Sequence, residues 1–258
     1  MHLLSFDSNG QPCLTPFSEH EAPQYAVLSH TWQAPKHEIT FKEISENSGK
    51  EKAGYRKVEF CRNQAQIDGL NYFWIDTCCI DKSSSAELSK AINSMFKWYR
   101  NAKKCYVYLT DVSTTSGADC DSWEPAFLKS RWFSRSWTLQ ELLAPRVVEF
   151  FSREGQKLGD KKILQKLLHE ATDIPLLVLQ GINFREYPVE EKFRWAARRY
   201  TTEPEDRAYS LLGIFELFIP PIYGEGEKHA RCRLQEAIEE AAEHAERGEI
   251  LRGLYIST

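Results

Sequence analysis

The sequence of 258 residues predicts an α/β fold in which a parallel sheet flanked by helices is followed by a helical extension. Short apolar runs of strand length alternate with segments of helical periodicity as far as about residue 160. Beyond that point helical patterns dominate, and only short turns separate them. Because strand–helix–strand alternation requires crossover connections, the sheet is predicted to be parallel. We expect a core over residues 1–160 and a helical extension over residues 161–258, packed on the core as part of one structural unit.

Four strands are predicted for the core, because each is a short apolar or aromatic run bounded by polar residues or turns. They cover residues 25–32, 72–76, 105–109 and 147–151. The first connecting helix is predicted over residues 55–69. The second begins where Ser83 to Ser85 offer N-caps and continues to Tyr99, and the third begins near Ser136 and ends before Pro145, which cannot continue a helix. In the extension, helical patterns cover residues 161–171, 188–199, 204–213 and 227–246.

Composition and charge argue against several classes of protein. The net charge is −4 and no basic stripe is present, which argues against nucleic-acid binding. The amino-terminal segment lacks the basic start and apolar run of a signal peptide, and no apolar run reaches the ~18 residues of a membrane span. The 7 cysteines are an odd number and are scattered, which indicates reduced thiols. We therefore expect a cytoplasmic location.

Polar side chains follow three of the predicted strands at their carboxyl ends. They lie at residues 29–32, 76–81 and 110–111. In an open parallel sheet, ligands bind in the crevice beyond the carboxyl ends of the strands. We therefore expect these three segments to meet at a common cleft.

Four long motifs occur in a fixed order along the chain. They are residues 25–32 (YAVLSHTW), 72–82 (YFWIDTCCIDK), 130–145 (SRWFSRSWTLQELLAP), and 201–215 (TTEPEDRAYSLLGIF) followed by 223–227 (YGEGE). Together they resemble the HET domain of fungal heterokaryon incompatibility proteins. The resemblance implies a trigger of programmed cell death in non-self recognition. It also implies that a separate sensor or incompatibility partner protein supplies the signal.

The segment from Trp137 to Leu142 carries a second, more distant resemblance. It is similar to the Trp-x-x-x-Glu-Leu helix of TIR domains, whose flavodoxin-like parallel sheet has the same order of elements. The likeness to TIR domains that are NAD⁺ glycohydrolases implies that Glu141 is catalytic and that NAD⁺ is the substrate, with no bound cofactor. It further implies that the protein acts in a response like innate immunity, and that copies of it associate with one another on activation.

Glu141 also has a physical case of its own. Breaking the nicotinamide–ribose bond develops an oxocarbenium ion, which a carboxylate beneath the ribose stabilises. A helix after the third strand begins near the ligand-binding edge of the sheet, so Glu141 is expected to face the cleft. The alternative is a solvated glutamate, or a partner for Arg135 or Arg146.

Ser29, His30 and Trp32 are expected to line the same cleft. His30 can donate a proton or bind a phosphate, and Trp32 can stack on a base or on the nicotinamide ring. The alternative for His30 is a structural hydrogen bond. Asp76 ends a buried strand, where a carboxylate binds ribose hydroxyls or caps the next helix.

Arg131 and Arg135 are candidates for clamping a pyrophosphate, and Trp137 completes the predicted substrate-binding set. The alternative for the two arginines is pairing with Asp119, Asp121 or Glu124 in the preceding loop.

The adjacent cysteines at positions 78 and 79 lack the spacing of a metal site and are interpreted as packing residues. The alternative is that one of them is a nucleophile with His30 as its base.

Two functions from different classes remain. The first is an enzyme that cleaves NAD⁺ through Glu141 once it has self-associated, with no metal and no membrane span. The second is an interaction module with the same fold that triggers cell death by recruiting partners without chemistry of its own. Convergence of Glu141, His30 and Asp76 on one pocket with room for a dinucleotide favours the enzyme.

Overall fold

A single mixed sheet forms the centre of the protein, whose computed structural model describes residues 1–115 and 123–246. The strands of the described residues are β1 (His2–Phe6), β2 (Pro12–Pro16), β3 (Tyr25–His30), β4 (Tyr72–Trp74), β5 (Lys104–Tyr108), β6 (Val148–Phe151) and β7 (Lys157–Asp160). Their order across the sheet is β2-β1-β4-β3-β5-β6-β7. The four central strands run parallel, and β1, β2 and β7 are antiparallel to their neighbours. The predicted α/β class is confirmed, and the four predicted strands are the parallel ones.

Helices flank the sheet and make up most of the chain after it. The α-helices of the described residues are α1 (Phe41–Ser45), α2 (Tyr55–Ile67), α3 (Ser85–Asn101), α4 (Glu124–Leu128), α5 (Thr138–Leu143), α6 (Gln165–Thr172), α7 (Leu176–Leu179), α8 (Val189–Ala196), α9 (Asp206–Tyr209), α10 (Leu212–Phe215) and α11 (Gly226–Glu246). Short 3₁₀ turns lie at Pro35–His37, Arg131–Ser134 and Phe184–Glu186. No helix within these described ranges has both the length and the apolar character needed to cross a membrane.

The connections between the parallel strands reverse direction at β3. From β3 the chain passes through α2 to β4 on one side, and it returns through α3 to β5 on the other side of β3. The parallel strands thus have the order second, first, third, fourth, which is the order that begins a flavodoxin-like sheet. The reversal creates a switch point between the carboxyl ends of β3 and β5. Right-handed crossovers place α2 on one face of the sheet, and α3 and α5 on the other.

Local sequence explains the elements that position the candidate site. All six residues of β3 are buried, as expected for a central strand covered on both faces. Helix α3 begins after Ser84, whose hydroxyl accepts a hydrogen bond from the Glu87 amide at 3.3 Å. All six residues of α5 are buried as well, and the helix ends shortly before Pro145.

The helical extension is tied to the core by specific contacts. The predicted helical segments correspond to α6, to α8, to α9 with α10, and to α11. The Trp137 indole Nε1, just before α5, donates a hydrogen bond to Asp206 Oδ2 at 2.9 Å in α9. Helix α10 packs against α3. Residues 247–258 of the predicted extension lie outside the described residues.

The contact between α10 and α3 depends on a glycine. A Cβ atom added at Gly213 would lie 2.1 Å from the Phe96 Cβ. We expect Gly213→Ala to lower the free energy of unfolding by about 1–3 kcal/mol, because the new methyl group overpacks a buried contact. Urea unfolding of the two proteins measures the change. Helix propensity alone predicts the opposite, since alanine is favoured over glycine by ~1 kcal/mol in a helix. An unchanged or higher stability would therefore contradict the close approach.

Candidate functional site

The Glu141 carboxyl group lies inside the protein beneath the end of the central strand. Its residue is 4% exposed, and one carboxyl oxygen accepts a hydrogen bond from the Ser29 hydroxyl near the carboxyl end of β3. The Ser29 oxygen in turn accepts a hydrogen bond from the Trp132 indole at 2.7 Å. The buried hydroxyl of Tyr99 from α3 donates to the Leu28 carbonyl at 3.1 Å and lies close enough to the Glu141 carboxyl to lower its pKa. The carboxyl is thus bonded directly to Ser29, and Trp132 and Tyr99 lie around that contact.

The environment of Glu141 changes its acidity. Burial raises the pKa of the carboxyl from 4.5 to about 8, and the negative charge of Asp76 acts in the same direction. The hydrogen bonds from Ser29 and Tyr99 and the charge of Arg135 oppose the rise. In this state the carboxyl is mostly protonated at neutral pH. A carboxyl group with so perturbed a pKa at the ligand-binding edge of a parallel sheet marks a candidate functional site.

A second group of polar side chains surrounds His30, the last residue of β3. Its Nε2 lies 3.1 Å from Asp76 Oδ1, and the Trp32 indole donates to Asp76 Oδ2 at 2.7 Å. Burial tends to raise the pKa of Asp76, but the hydrogen bond from His30 and the charge of Lys82 lower it to about 2. Asp76 is therefore an ionised carboxylate, held between His30 and Trp32. The Trp32 ring is 43% exposed, and the Lys82 ammonium lies 3.8 Å from its centroid.

A buried ion pair behind His30 was not predicted from the sequence. The Lys57 ammonium in α2 is 3% exposed and donates to Glu38 Oε1 at 2.5 Å and to the Thr31 carbonyl at 3.1 Å. It also lies 3.0 Å from His30 Nδ1. Because an ammonium group only donates, His30 Nδ1 must accept, and Nε2 then carries the proton that points at Asp76. Lys57 thereby fixes the tautomer of His30.

The Lys57–Glu38 pair is expected to be strongly coupled. Removing one partner by Lys57→Met or Glu38→Gln leaves a buried charge without compensation, so each should lower the free energy of unfolding by about 3 kcal/mol. The double variant should lose clearly less than the sum of the two. A urea-unfolding double-mutant cycle measures the coupling.

The exposed pair Lys42–Glu46 is the matched control for this cycle. Its two side chains lie one helical turn apart in solvent, where ion pairs contribute little. Additive losses at Lys57 and Glu38, similar in size to those of the control, would contradict the buried pair.

Ser29 and His30 belong to different groups because of strand geometry. Consecutive side chains of a strand point to opposite faces of the sheet. Ser29 therefore meets Glu141 on the face covered by α3 and α5, and His30 meets Lys57 on the face covered by α2. Both groups lie at the carboxyl end of β3, beside the switch point. None of five clefts found among the described residues is lined by Glu141, His30 or Asp76.

The remaining predicted site residues lie around α5. The Arg131 amide donates to Asp111 at 2.8 Å, and its guanidinium lies 3.6 Å from the same carboxylate. The Arg135 guanidinium donates to Thr202 at 3.3 Å and is near enough to lower the pKa of Glu141. Trp137 contacts α9 as described above. Asp119 and Asp121, which were alternative partners for the arginines, lie outside the described residues.

A buried arginine completes the surroundings of Glu141 and was not predicted. Arg199 is 2% exposed and donates to the Arg135 carbonyl at 3.0 Å and to the Thr138 hydroxyl at 2.9 Å. Burial lowers its pKa to about 10, and the charge of Glu141 opposes this. Arg199 follows α8, some sixty residues after α5 in the sequence. No local sequence pattern therefore indicates that it lies beside Glu141. Arg199 and Arg135 both lie close enough for their positive charges to stabilise Glu141 when that carboxyl ionises.

The two adjacent cysteines are packing residues in the structure. Cys78 and Cys79 are both buried, and the Cys79 sulfur accepts a hydrogen bond from the Ile75 amide at 3.3 Å. The hydrogen bond with Cys79 and burial raise the pKa of the Cys78 thiol well above its usual range. A nucleophilic cysteine needs a lowered pKa. The geometry therefore favours packing over a cysteine nucleophile.

Comparisons with known proteins identify similar sequences. The family model described as heterokaryon incompatibility protein (HET) matches residues 25–125. The chain is 50% identical over 241 residues, 92% of its length, to the vegetative incompatibility protein HET-E-1 of Podospora anserina. The aligned region is 18% of that relative, so the chain spans less than a fifth of its length. No solved structure gives a significant match.

Proposed function

Because this chain belongs to the heterokaryon incompatibility (HET) domain family, we propose that it triggers cell death in heterokaryon incompatibility. We further propose that it does so as an enzyme, which cleaves NAD⁺ at the nicotinamide–ribose bond once copies of the chain have associated. A separate incompatibility partner supplies the activating signal. Glu141 is the catalytic carboxylate.

One observation carries the enzymatic proposal. A glutamate with a pKa raised to about 8 lies at the carboxyl edge of a parallel sheet, bonded to the end of the strand at which the topology reverses. Isolated carboxyl groups are not buried without cost, and such groups concentrate at functional sites. An ionised aspartate and a histidine of fixed tautomer lie on the neighbouring face. The site thus combines a carboxyl group that can change its protonation state with a neighbouring aspartate and histidine that are held in place by hydrogen bonds.

The proposed reaction places each residue in a defined role. The C1′–N bond breaks, and its electron pair leaves with the nicotinamide nitrogen. The Glu141 carboxylate stabilises the ribosyl cation, as it would in glycoside hydrolysis. Water then bonds to C1′ and releases a proton, which gives ADP-ribose, or a hydroxyl of the same substrate closes a ring. His30, Asp76 and Trp32 bind the dinucleotide, and Arg131 and Arg135 lie where they can contact its pyrophosphate.

The structure corresponds to a resting state in this proposal. Glu141 is 4% exposed and bonded to Ser29, which Trp132 also binds, so a ribose does not reach the carboxyl. A protonated carboxyl also stabilises a cation poorly. Self-association opens the site, exposes the carboxyl to solvent and returns its pKa towards the ordinary value, which produces the carboxylate. Closure and protonation would together keep an isolated copy inactive.

A specific observation favours a second candidate, an interaction module without chemistry. The Glu141 carboxyl is buried and hydrogen-bonded within its own chain, and it lines none of the five clefts found among the described residues. A structural hydrogen-bond hub explains this arrangement without any substrate. In that case the HET domain kills by recruiting partners.

Product analysis separates the two candidates. Purified protein is concentrated until scattering shows assembly, and NAD⁺ loss and free nicotinamide are followed by chromatography. The same chain is expressed in fungal cells to score death. Nicotinamide released in proportion to NAD⁺ lost by the assembled protein supports the enzyme. Death in cells without any turnover by assembled protein rejects the enzyme and leaves the interaction module.

A further inference from the structure

A large cavity lies beyond the carboxyl end of α5, at the amino end of β6. Its volume is about 970 Å³. It is bounded by the start of β6, by the residues that follow α5, and by the segment 178–185. Apolar side chains form much of its wall, including Phe96 and Phe184, whose rings meet edge to face at 6.1 Å. Cavities of this size and character bind small organic ligands.

The charge of the cavity is opposite to that of the chain. Its lining includes one carboxylate, Asp160, which accepts hydrogen bonds from backbone amides of its own turn. The cations of the lining are Arg100, Arg146, Lys161, Lys162 and Arg185. Arg100 and Arg185 share a single partner, Glu216. Arg146 and Lys162 form no ion pair with any described residue. On a chain of net charge −4, this cavity therefore has several cations in its wall and few carboxylates to balance them.

Lys161 gives an independent reason to expect an anion. It is 9% exposed, and its ammonium donates to the carbonyls of Leu142 at 3.2 Å and Pro145 at 3.0 Å. No carboxylate among the described residues lies within ion-pair distance of it. Burial lowers the pKa of Lys161 to about 8. A buried ammonium without a counterion is unfavourable, and a bound anion would compensate it.

We propose that this cavity binds a nucleotide that carries at least two phosphates, with Arg146, Lys161 and Lys162 contacting the phosphates and the base lying against Phe96 and Phe184. Guanidinium and ammonium groups bind phosphate oxygens strongly, and several unpaired cations suit a diphosphate better than a single carboxylate. The aromatic pair offers a base a surface for stacking. The volume is sufficient for a whole nucleotide.

The site is separate from the one proposed for NAD⁺ cleavage. Glu141 and His30 lie at the carboxyl end of the parallel strands, whereas the cavity lies at the amino end of β6. The two are connected through α5, because Lys161 binds the carbonyl of Leu142, the residue after Glu141. A ligand that attracts the Lys161 ammonium would act on the end of the helix that carries Glu141.

Calorimetric titration with ADP tests the assignment. The proteins compared are the unaltered chain, R146A/K162A, K161M, W32A and a control, R56A/K166A, which removes two exposed positive charges elsewhere. We expect ADP to bind the unaltered chain and W32A alike, and R146A/K162A and K161M to bind it about tenfold or more weakly. The control should differ by less than about twofold at the same ionic strength. Circular dichroism confirms that every variant is folded.

Two fragments of ADP identify what the cavity recognises. Pyrophosphate should bind more weakly than ADP because it lacks the base, and adenosine should bind most weakly because it lacks the charges. The proposal is overturned if ADP fails to bind the unaltered chain at about 10 mM, or if the control loses as much affinity as R146A/K162A. Adenosine or pyrophosphate as tight as ADP would equally reject a nucleotide site. Loss of ADP binding in W32A would place the nucleotide at the site proposed for NAD⁺ and would overturn the proposal.

Discussion

Glu141→Gln is expected to lower NAD⁺ cleavage by the assembled protein by about a thousandfold while leaving the fold intact. The amide keeps the shape of the carboxyl group and can still accept the Ser29 hydrogen bond, but it cannot become negative beneath the ribosyl cation. At neutral pH the resting carboxyl is itself mostly neutral, so the exchange costs little stability. Nicotinamide release, measured against folded and assembled protein, gives the size of the loss.

Glu149→Gln is the matched control for this substitution. Glu149 is also a buried glutamate of the core, on β6, and it is paired with Lys104 and Lys157. It makes no contact with Ser29 or Glu141, so its variant should retain turnover as long as it is folded. If E141Q keeps the turnover of the control, the enzyme stands but Glu141 is not its carboxylate. If E141Q stops turnover yet cells still die, cell death does not depend on NAD⁺ cleavage.

The parallel part of the fold was predictable because its signals are local. Strands β3 to β6 are largely buried apolar runs, and the long helix α3 between them carries a serine cap and an apolar face. The antiparallel strands β1, β2 and β7 were missed. They have four or five residues each and mix buried with partly or fully exposed positions, so no run or alternation distinguishes them from loops. Pairing across the sheet, and not local sequence, makes them strands.

The candidate site was predictable only as a region. The rule for carboxyl ends of parallel strands places Ser29, His30 and Asp76 at one edge, where the structure has them. The expectation that Ser29 and His30 line the same cleft overlooked the alternation of side chains along a strand, which sends them to opposite faces. The burial of Glu141 was not foreseen either, because it depends on Trp132 and Tyr99 from other elements.

The buried cations were hidden for a related reason. Lys57 occupies the apolar side of α2, one turn before Cys61, and a lysine in that position is an anomaly that the sequence does show. Its partner Glu38 lies in a loop nineteen residues earlier, and nothing local joins the two. Arg199 approaches α5 only because the extension folds back on the core. Contacts between distant segments therefore set the electrostatics of the site.

The stability of the unaltered chain should fall, relative to E141Q, as the pH rises from about 5 to above 8. The folded state holds the Glu141 proton up to a pKa of about 8, whereas the unfolded chain releases it near 4.5. A raised pKa in the folded state means that the stabilisation is complete below 4.5 and is lost as the pH passes through 8. The glutamine variant has no proton at this position to release. The difference between the two free energies of unfolding isolates the group, because the other titrating residues are common to both proteins.

The size of this effect follows from the pKa shift. A rise from 4.5 to about 8 corresponds to about 5 kcal/mol in all, which accumulates at ~1.4 kcal/mol per pH unit inside the window and levels off above it. Urea unfolding of both proteins at several pH values from 5 to 9 measures the difference directly. Parallel curves for the two proteins would show that Glu141 is ionised in the folded state and would remove the protonated resting state from the proposed mechanism.

The same linkage acts on the opening of the site. If assembly exposes Glu141 to water, the carboxyl of the open form releases its proton near pH 4.5. The carboxyl of the closed form releases its proton only near pH 8. A rise in pH between these values therefore stabilises the open form relative to the closed form, by the same free energy as it stabilises the unfolded chain. The protein concentration needed for NAD⁺ cleavage should therefore decrease between pH 6 and pH 8. The threshold concentration could instead stay constant with pH while the protein shows the predicted loss of stability. That result would show that the titration of Glu141 affects folding but not activation.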